Sequence, residues 1–337
     1  MHLLQTSRAQ RGSMMAISLI KRAVLIVVLT ATAFAADLQS QLEALVRAHH
    51  GQAAIYARHL KTGASVAVNA DTPVPTASVI KLAIMVTAFD LAHAGKLSLE
   101  EKLALTKENQ VSGSGILGAL TPGLQITLGD AIVLMIQLSD NTATNMVIDR
   151  LSVAAVDQKL TAMGEKNTWL YKKVMKPAEG PMPSDQPKFG LGKTTAREMA
   201  DVMASIERCD IGDAALCKRM IEILKGQQNR DAIPRYIEFA DTSERPSMIA
   251  NKTGSLDAVR NDVALVYTAG GPIVISAFTW DNQDRSWTPD NQGALLIGRM
   301  AQAILQAWAP AAVKPSAAGS ASNAVPVTAA APGTPKN

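Results

Sequence analysis

Residues 78 to 94 most constrain what this chain can fold into. Ile80, Leu82, Ile84, Met85, Val86, Phe89 and Leu91 place apolar side chains nearly all round a helix, and Gly95 closes it. A surface helix carries one apolar stripe, whereas a helix apolar on every side has to be enclosed by other elements. The rest of the chain must therefore supply layers around this segment. Ala53 to His59 and Ala64 to Ala70 read as two strands joined by the turn Lys61-Thr62-Gly63. Met248 to Lys252, Asp262 to Thr268 and Ile273 to Thr279 read as three more, the last two forming a hairpin through Gly270-Gly271. Leu38, Leu42, Leu45 and Val46 have helical spacing, and Gln292 to Trp308 is a final amphipathic helix. Residues 97 to 240 are helix-rich and strand-poor. The expected architecture is α/β plus all-α: an antiparallel sheet built from both termini, with a helical domain inserted at about residues 78 to 245.

The two ends read differently. Residues 1–35 look like a secretory signal: Lys21 and Arg22 precede an apolar run from Ala23, and Ala33-Phe34-Ala35 offers a small-x-small cleavage site. The run is short for a membrane span, and an uncleaved anchor is the alternative. The protein is expected to be exported, either periplasmic or secreted. The formal net charge of +4 sits in this leader: four of the 33 Lys and Arg residues lie there, leaving 29 against 29 Asp and Glu. A neutral body argues against a nucleic-acid partner. From Pro310 onward the chain is mostly Ala, Pro, Ser, Gly, Thr and Val without periodicity, which reads as a disordered tail over 310–337. Residues 36–309 remain as the catalytic body. Cys209 and Cys217 are the only cysteines, and both a disulfide and two thiols fit their spacing.

Several catalytic templates fail. There is no G-x-S-x-G and no H-E-x-x-H, and none of the five histidines has an obvious partner. Gly113-Ser114-Gly115-Ile116-Leu117-Gly118 matches a dinucleotide fingerprint by letter, but no strand precedes it and Thr121-Pro122-Gly123 ends any helix after it. Gly190-Leu191-Gly192-Lys193-Thr194 resembles a phosphate loop, but Pro187 occupies the first glycine position and Lys193 to Thr195 reads as the opening of a helix. No metal and no organic cofactor is indicated.

One constellation survives. Ser78-Val79-Ile80-Lys81 opens the buried helix, Ser139-Asp140-Asn141 sits between two helical stretches, and Lys252-Thr253-Gly254 lies on a predicted strand. Each motif alone is weak: Ser18 to Lys21 and Lys61 to Gly63 repeat two of them in a leader and a hairpin turn. Order and context separate the second set. Positions i and i+3 share a helix face, so Lys81 lies near the Ser78 hydroxyl, and burial favours its neutral, basic form. Ser139 can relay a proton to a leaving nitrogen. Lys252 and Thr253 offer a cation and a hydroxyl to a carboxylate, and the N–H groups of Ser78 and Ser255 can form an oxyanion hole.

With these motifs, and with Asp140-Asn141-Thr142-Ala143 and Asn145 extending the second, the sequence resembles the class A serine β-lactamases over most of residues 40 to 308. The resemblance implies the β-lactamase/transpeptidase-like fold, acylation of Ser78, and Lys81, Ser139 and Lys252 as catalytic partners. It implies that Asn141 binds the substrate's side-chain amide, and that Thr253 and Ser255 line the substrate strand. Arg260 follows that strand, either as a carboxylate ligand or in an ion pair with Asp257 or Asp262. The implied function is an exported serine hydrolase cleaving a β-lactam amide, acting as a monomer on a small molecule. A D-amino-acid peptidase or esterase and a non-turnover penicillin sensor are the alternatives. The departure lies in the loop after the helical motif, where the family carries a Glu followed by Leu-Asn. Residues 170–183 hold one carboxylate, Glu179, which is either the deacylation base or a solvated loop residue.

Overall fold

The computed structural model describes residues 37–237 and 248–313. The leader, the expected inner boundary near 245 and most of the tail lie outside those residues.

A five-stranded antiparallel sheet forms the spine. Its strands are β1 (Gln52–His59), β2 (Ser65–Val68), β8 (Ile249–Leu256), β9 (Val259–Thr268) and β10 (Gly271–Trp280), in the order β2-β1-β10-β9-β8. The sheet is thus closed by both ends of the chain, as the sequence predicts. Strand side chains alternate between faces, and here both faces are buried. Ala54, Tyr56, Val263 and Leu265 join one apolar core, while Ala53, Ile55, Ala264 and Val266 join a second. Double burial explains why the strands read as continuous apolar runs.

Helix α1 (37–47) and α9 (Gln292–Trp308) cover the second face through Leu38, Leu42, Ile297, Met300 and Ile304. The first face meets the inserted helical region. It comprises α2 (Lys81–His93), α3 (Leu128–Gln137), α4 (Asn141–Leu151), α5 (Val153–Met163), α6 (Gln186–Phe189), α7 (Ala196–Arg208) and α8 (Ala214–Lys225). Short strands β3 (Val74–Pro75), β4 (Lys102–Ala104), β5 (Gln125–Thr127), β6 (Trp169–Leu170) and β7 (Gly192–Thr194) tie its loops together. Helix α2 runs through the centre, and every residue from Lys81 to Phe89 is buried. Burying each of Leu82, Ile84, Met85 and Phe89 contributes roughly 1.5–3 kcal/mol. Gly95 ends the helix at φ +67, with Lys96 N–H donating to the Leu91 carbonyl at 2.9 Å.

Three local expectations are corrected. The helix over 78–94 is divided: Ala77–Ile80 is a 3-10 turn, and α-helical geometry starts at Lys81. Lys193 and Thr194 form strand β7 rather than a helix start, and Thr195 caps α7 by accepting the Glu198 N–H at 3.1 Å. Residues 310 to 313, expected in the tail, are folded: Pro310–Ala312 make a turn and Val313 bridges Ile237, burying both Ala312 and Val313.

Cys209 ends α7 and Cys217 lies in α8, and the two form a disulfide with Cα atoms 5.5 Å apart. The closed loop is short, so its entropic contribution is about 2 kcal/mol. Both helices also enter the apolar core, through Val202, Met203, Met220 and Leu224. A Cys209→Ser/Cys217→Ser protein should therefore fold, with urea unfolding showing a loss of about 2 kcal/mol. A protein that no longer folds would make the disulfide, and not the core, the main support of this corner.

Candidate active site

The segment before Ser78 is held from three directions. Thr76 donates its N–H and hydroxyl to the Gly192 carbonyl at 3.0 and 3.1 Å. The Asn261 amide donates to the carbonyls of Pro75 and Thr76 at 2.9 and 3.1 Å. Val79 N–H donates to the Thr76 carbonyl at 3.2 Å. Between these anchors Ala77 adopts φ +43, a left-handed conformation unfavourable for alanine that persists because its surroundings over-determine it. The outcome is a half-buried Ser78 flanked by buried Ala77, Val79 and Ile80.

Strand β8 packs against this turn. A Cβ added to Gly254 would lie 2.9 Å from the Ser78 nitrogen and 3.1 Å from the Thr76 oxygen. The glycine of Lys252-Thr253-Gly254 is therefore a condition of contact between strand and nucleophile. Strand β8 is also a sheet edge, so alternate N–H groups point away from β9.

Two lysines converge on Ser139. The Lys81 ammonium donates to the Ser139 carbonyl at 2.7 Å, to Ser139 Oγ at 3.2 Å and to Asn141 Oδ1 at 3.0 Å. Lys252 donates to Ser139 Oγ at 3.1 Å and to the Thr253 carbonyl at 2.6 Å. Both side chains are fully buried. Burial, reinforced by the neighbouring Lys252 charge and partly offset by Asp140, holds the Lys81 amine well below its usual range. Burial lowers Lys252 to about 7, against the opposing attraction of Asp262. Burial also raises Asp262 to about 6, although the Asn251 amide and the Ile233 N–H, both at 3.0 Å, stabilise its charge. Ser139 Oγ thus lies within hydrogen-bond reach of both lysine nitrogens.

Asp140 staples the surroundings together. Its Oδ1 accepts the Ala143 N–H at 2.8 Å, capping α4, while Oδ2 accepts the N–H groups of Ile116 and Leu117 at 2.7 and 2.9 Å. Asn141 donates to the Ser112 carbonyl at 3.1 Å and from its backbone to Ser114 at 3.0 Å. The glycine-rich segment rejected as a dinucleotide fingerprint is thus a wall of this site. Gly115 sits at φ +101, and a Cβ there would lie 2.2 Å from the Asp140 carboxyl carbon.

The remaining predicted residues divide. Thr253, Ser255 and Arg260 line one cleft of about 80 Å³ with Trp287. Arg260 forms neither predicted ion pair: it donates to the carbonyls of Leu256, Val259 and Ser286, while Asp257 pairs with Arg285 at 3.0 Å. Asp262 instead faces Asn251 and Ile233. Glu179 is not brought to the site. Its carboxylate, 76% exposed, pairs with Lys173 at 2.8 Å in a separate cavity with Asp149 and Asp157. The loop residue tied to α4 is Val174, whose N–H donates to Asn145 Oδ1 at 2.8 Å and whose carbonyl accepts from Nδ2 at 3.0 Å. An apolar residue therefore occupies the clamped position, and the carboxylate lies five residues further along the chain.

The chain belongs to the β-lactamase enzyme family, whose sequence model matches residues 37–308. Solved structures agree. A point mutant of PBP-A, in an acyl-enzyme complex with penicillin-G, is 28% identical, with a TM-score of 0.69 over 81% of this chain and 96% of that one. A β-lactamase from Sphaerobacter thermophilus DSM 20745 is 27% identical, with a TM-score of 0.68 over 82% of this chain and 97% of that one. An ancestral class A β-lactamase, at 21% identity, has a TM-score of 0.69 over 80% of this chain and 100% of its own, a likeness of fold. The protein is a β-lactamase-like serine hydrolase with the mixed α/β architecture of that superfamily.

The two lysines predict opposite pH limbs. Neutral Lys81 accumulates as pH rises, which favours proton abstraction from Ser78. The Lys252 cation is lost as pH rises through about 7, which weakens attraction for an anionic substrate. Acylation measured as a second-order rate constant reports the free enzyme. It should fall through an apparent pKa near 7 as the Lys252 charge is lost. A profile flat from neutral pH upward would show that the Lys252 charge is not required.

Proposed function

We propose that this protein is an exported serine hydrolase acylated by β-lactams on Ser78, and that it releases the acyl group slowly. The observation that carries the proposal is the pairing of a complete acylation set with a displaced carboxylate. Ser139 joins Lys81 and Lys252 in one buried network beside Ser78, whereas Glu179 is bound to Lys173 elsewhere.

In this reading neutral Lys81 takes the proton of Ser78 Oγ as that oxygen attacks the lactam carbonyl. The N–H groups of Ser78 and Ser255 receive the developing oxyanion. Ser139 passes its proton to the leaving nitrogen and recovers one from Lys81. Lys252, Thr253 and Arg260 attract the substrate carboxylate, and Asn141 faces the acyl side-chain amide. Each step moves a proton between neighbouring groups, which keeps reorganisation small. Water then attacks the ester without a dedicated carboxylate base. General-base assistance is typically worth about 10² to 10⁴ in rate, so the acyl-enzyme persists. The same observation favours a D-amino-acid peptidase or esterase as the natural activity over rapid antibiotic clearance. Release of D-alanine from a muropeptide tests that reading.

Two outcomes check the proposal. Mixing the protein with benzylpenicillin and weighing it at intervals should show a lasting adduct of the drug's mass, which is absent in Ser78→Ala. Rapid hydrolysis with no adduct at any time would overturn slow release, and labelling of Ser78→Ala would remove Ser78 from the mechanism. In addition, Glu179→Gln should leave acylation and release within about twofold of wild type, as expected for an exposed surface pair. A further loss of turnover in that variant would restore Glu179 as the base.

A further inference from the structure

Arg260 is only 7% exposed yet has no carboxylate partner among the described residues. Three of its five N–H groups donate to the carbonyls of Leu256, Val259 and Ser286. The acids around it are committed elsewhere: Asp257 to Arg285 at 3.0 Å, and Asp284 to the N–H groups of Ser286 and Gln292 at 2.9 and 2.8 Å. A fixed cation with two donors left thus lines the cleft beside Thr253 and Ser255. That cleft is small, about 80 Å³, and its polar lining suits a carboxylate. Whatever flanks the carboxylate must remain at the mouth.

Trp287 stands there. Its ring centroid lies 4.8 Å from the Arg260 guanidinium carbon, so one face of the indole stacks on the cation. The residue is nevertheless 69% exposed, more than any other large hydrophobic side chain described. Its backbone is held, because the preceding Ser286 carbonyl accepts both Arg260 and the Asn291 amide, the latter at 2.9 Å. An immobilised aromatic surface left facing water beside an anion subsite is completed by covering it with apolar substrate.

We infer that Trp287 is a specificity-determining residue whose indole walls the carboxylate subsite and selects substrates with a flat, unsaturated group next to that carboxylate. This rests on the acylation of Ser78 proposed above. A methyl group, as in a D-alanine terminus, covers little of the indole. A conjugated substituent covers most of it and can stack.

The test uses two cephalosporins that share one acyl side chain. One bears a styryl group and the other a methyl group on the ring carbon beside the carboxylate-bearing carbon. Acylation rate constants for the intact protein are followed by mass. Wild type should prefer the styryl compound by roughly threefold to tenfold, the range of an aromatic contact. Trp287→Ala should bring the ratio close to one, and Trp287→Phe should restore most of the preference. An unchanged ratio in Trp287→Ala overturns the inference. So does an equal loss for both compounds, which would make Trp287 a mere support for Arg260. If neither drug forms an adduct and neither is hydrolysed, the acylation reading fails, and this inference with it.

Discussion

Two lysine side chains, buried on one serine hydroxyl, are the constraint on which the rest of this structure depends. Lys81 and Lys252 lie 3.2 and 3.1 Å from Ser139 Oγ. In water such ammoniums would be screened from one another. In a site of low dielectric each charge loses hydration and repels its neighbour. The favourable distribution keeps one amine neutral, and a neutral buried lysine is a base. The chemistry therefore follows from exclusion of water, and both layers of the fold supply it. Helix α2 carries Lys81 through the helical core, while β8 carries Lys252 along the sheet edge.

The same junction explains where strain is stored. Ala77 and Ser139 both have positive φ, at +43 and +53, and both stand at the nucleophile or its relay. Neither residue favours that conformation, which persists only because neighbouring groups hold it. Gly192 and Asn261 fix the chain before Ser78, and Lys81 fixes the Ser139 carbonyl. The turn at Ser78 and the β8 edge are thereby held together at Gly254. Electrostatic stabilisation works best when its dipoles are already in position.

Rigidity on the acylating side contrasts with the loop after β6. Asn145 clamps that loop by both ends of Val174, so its path is fixed as firmly as the rest. Its carboxylate is spent on Lys173 at the surface, where an ion pair contributes little to stability. This separation of Glu179 from the lysine and serine network is what the proposal of slow release rests on. On the far side, Arg260 and Trp287 form a polar and aromatic rim that β9 and the segment before α9 build together.

The sequence by itself determined the framework: the enclosed helix, the strands at both ends and three short motifs whose order and setting marked Ser78, Lys81, Ser139 and Lys252. Those readings rest on periodicity and on residue types with few other uses. The position of Glu179 could not be read, because a loop can turn a carboxylate toward or away from a site, and here the pairing with Lys173 holds it at the surface. The pairing of Cys209 with Cys217 required the corner between α7 and α8. Gly113 and Gly115 matched only a failed fingerprint in the sequence, and their closeness to Asn141 and Asp140 came from the packing of α4 against that loop. Arg260 left two ion-pair partners open in the sequence, Asp257 and Asp262, and folding chose backbone carbonyls and Trp287 over both. Spacing along a helix or strand is local geometry and survives in the sequence. Contacts between distant loops depend on how whole layers pack, and only the tertiary structure holds that information.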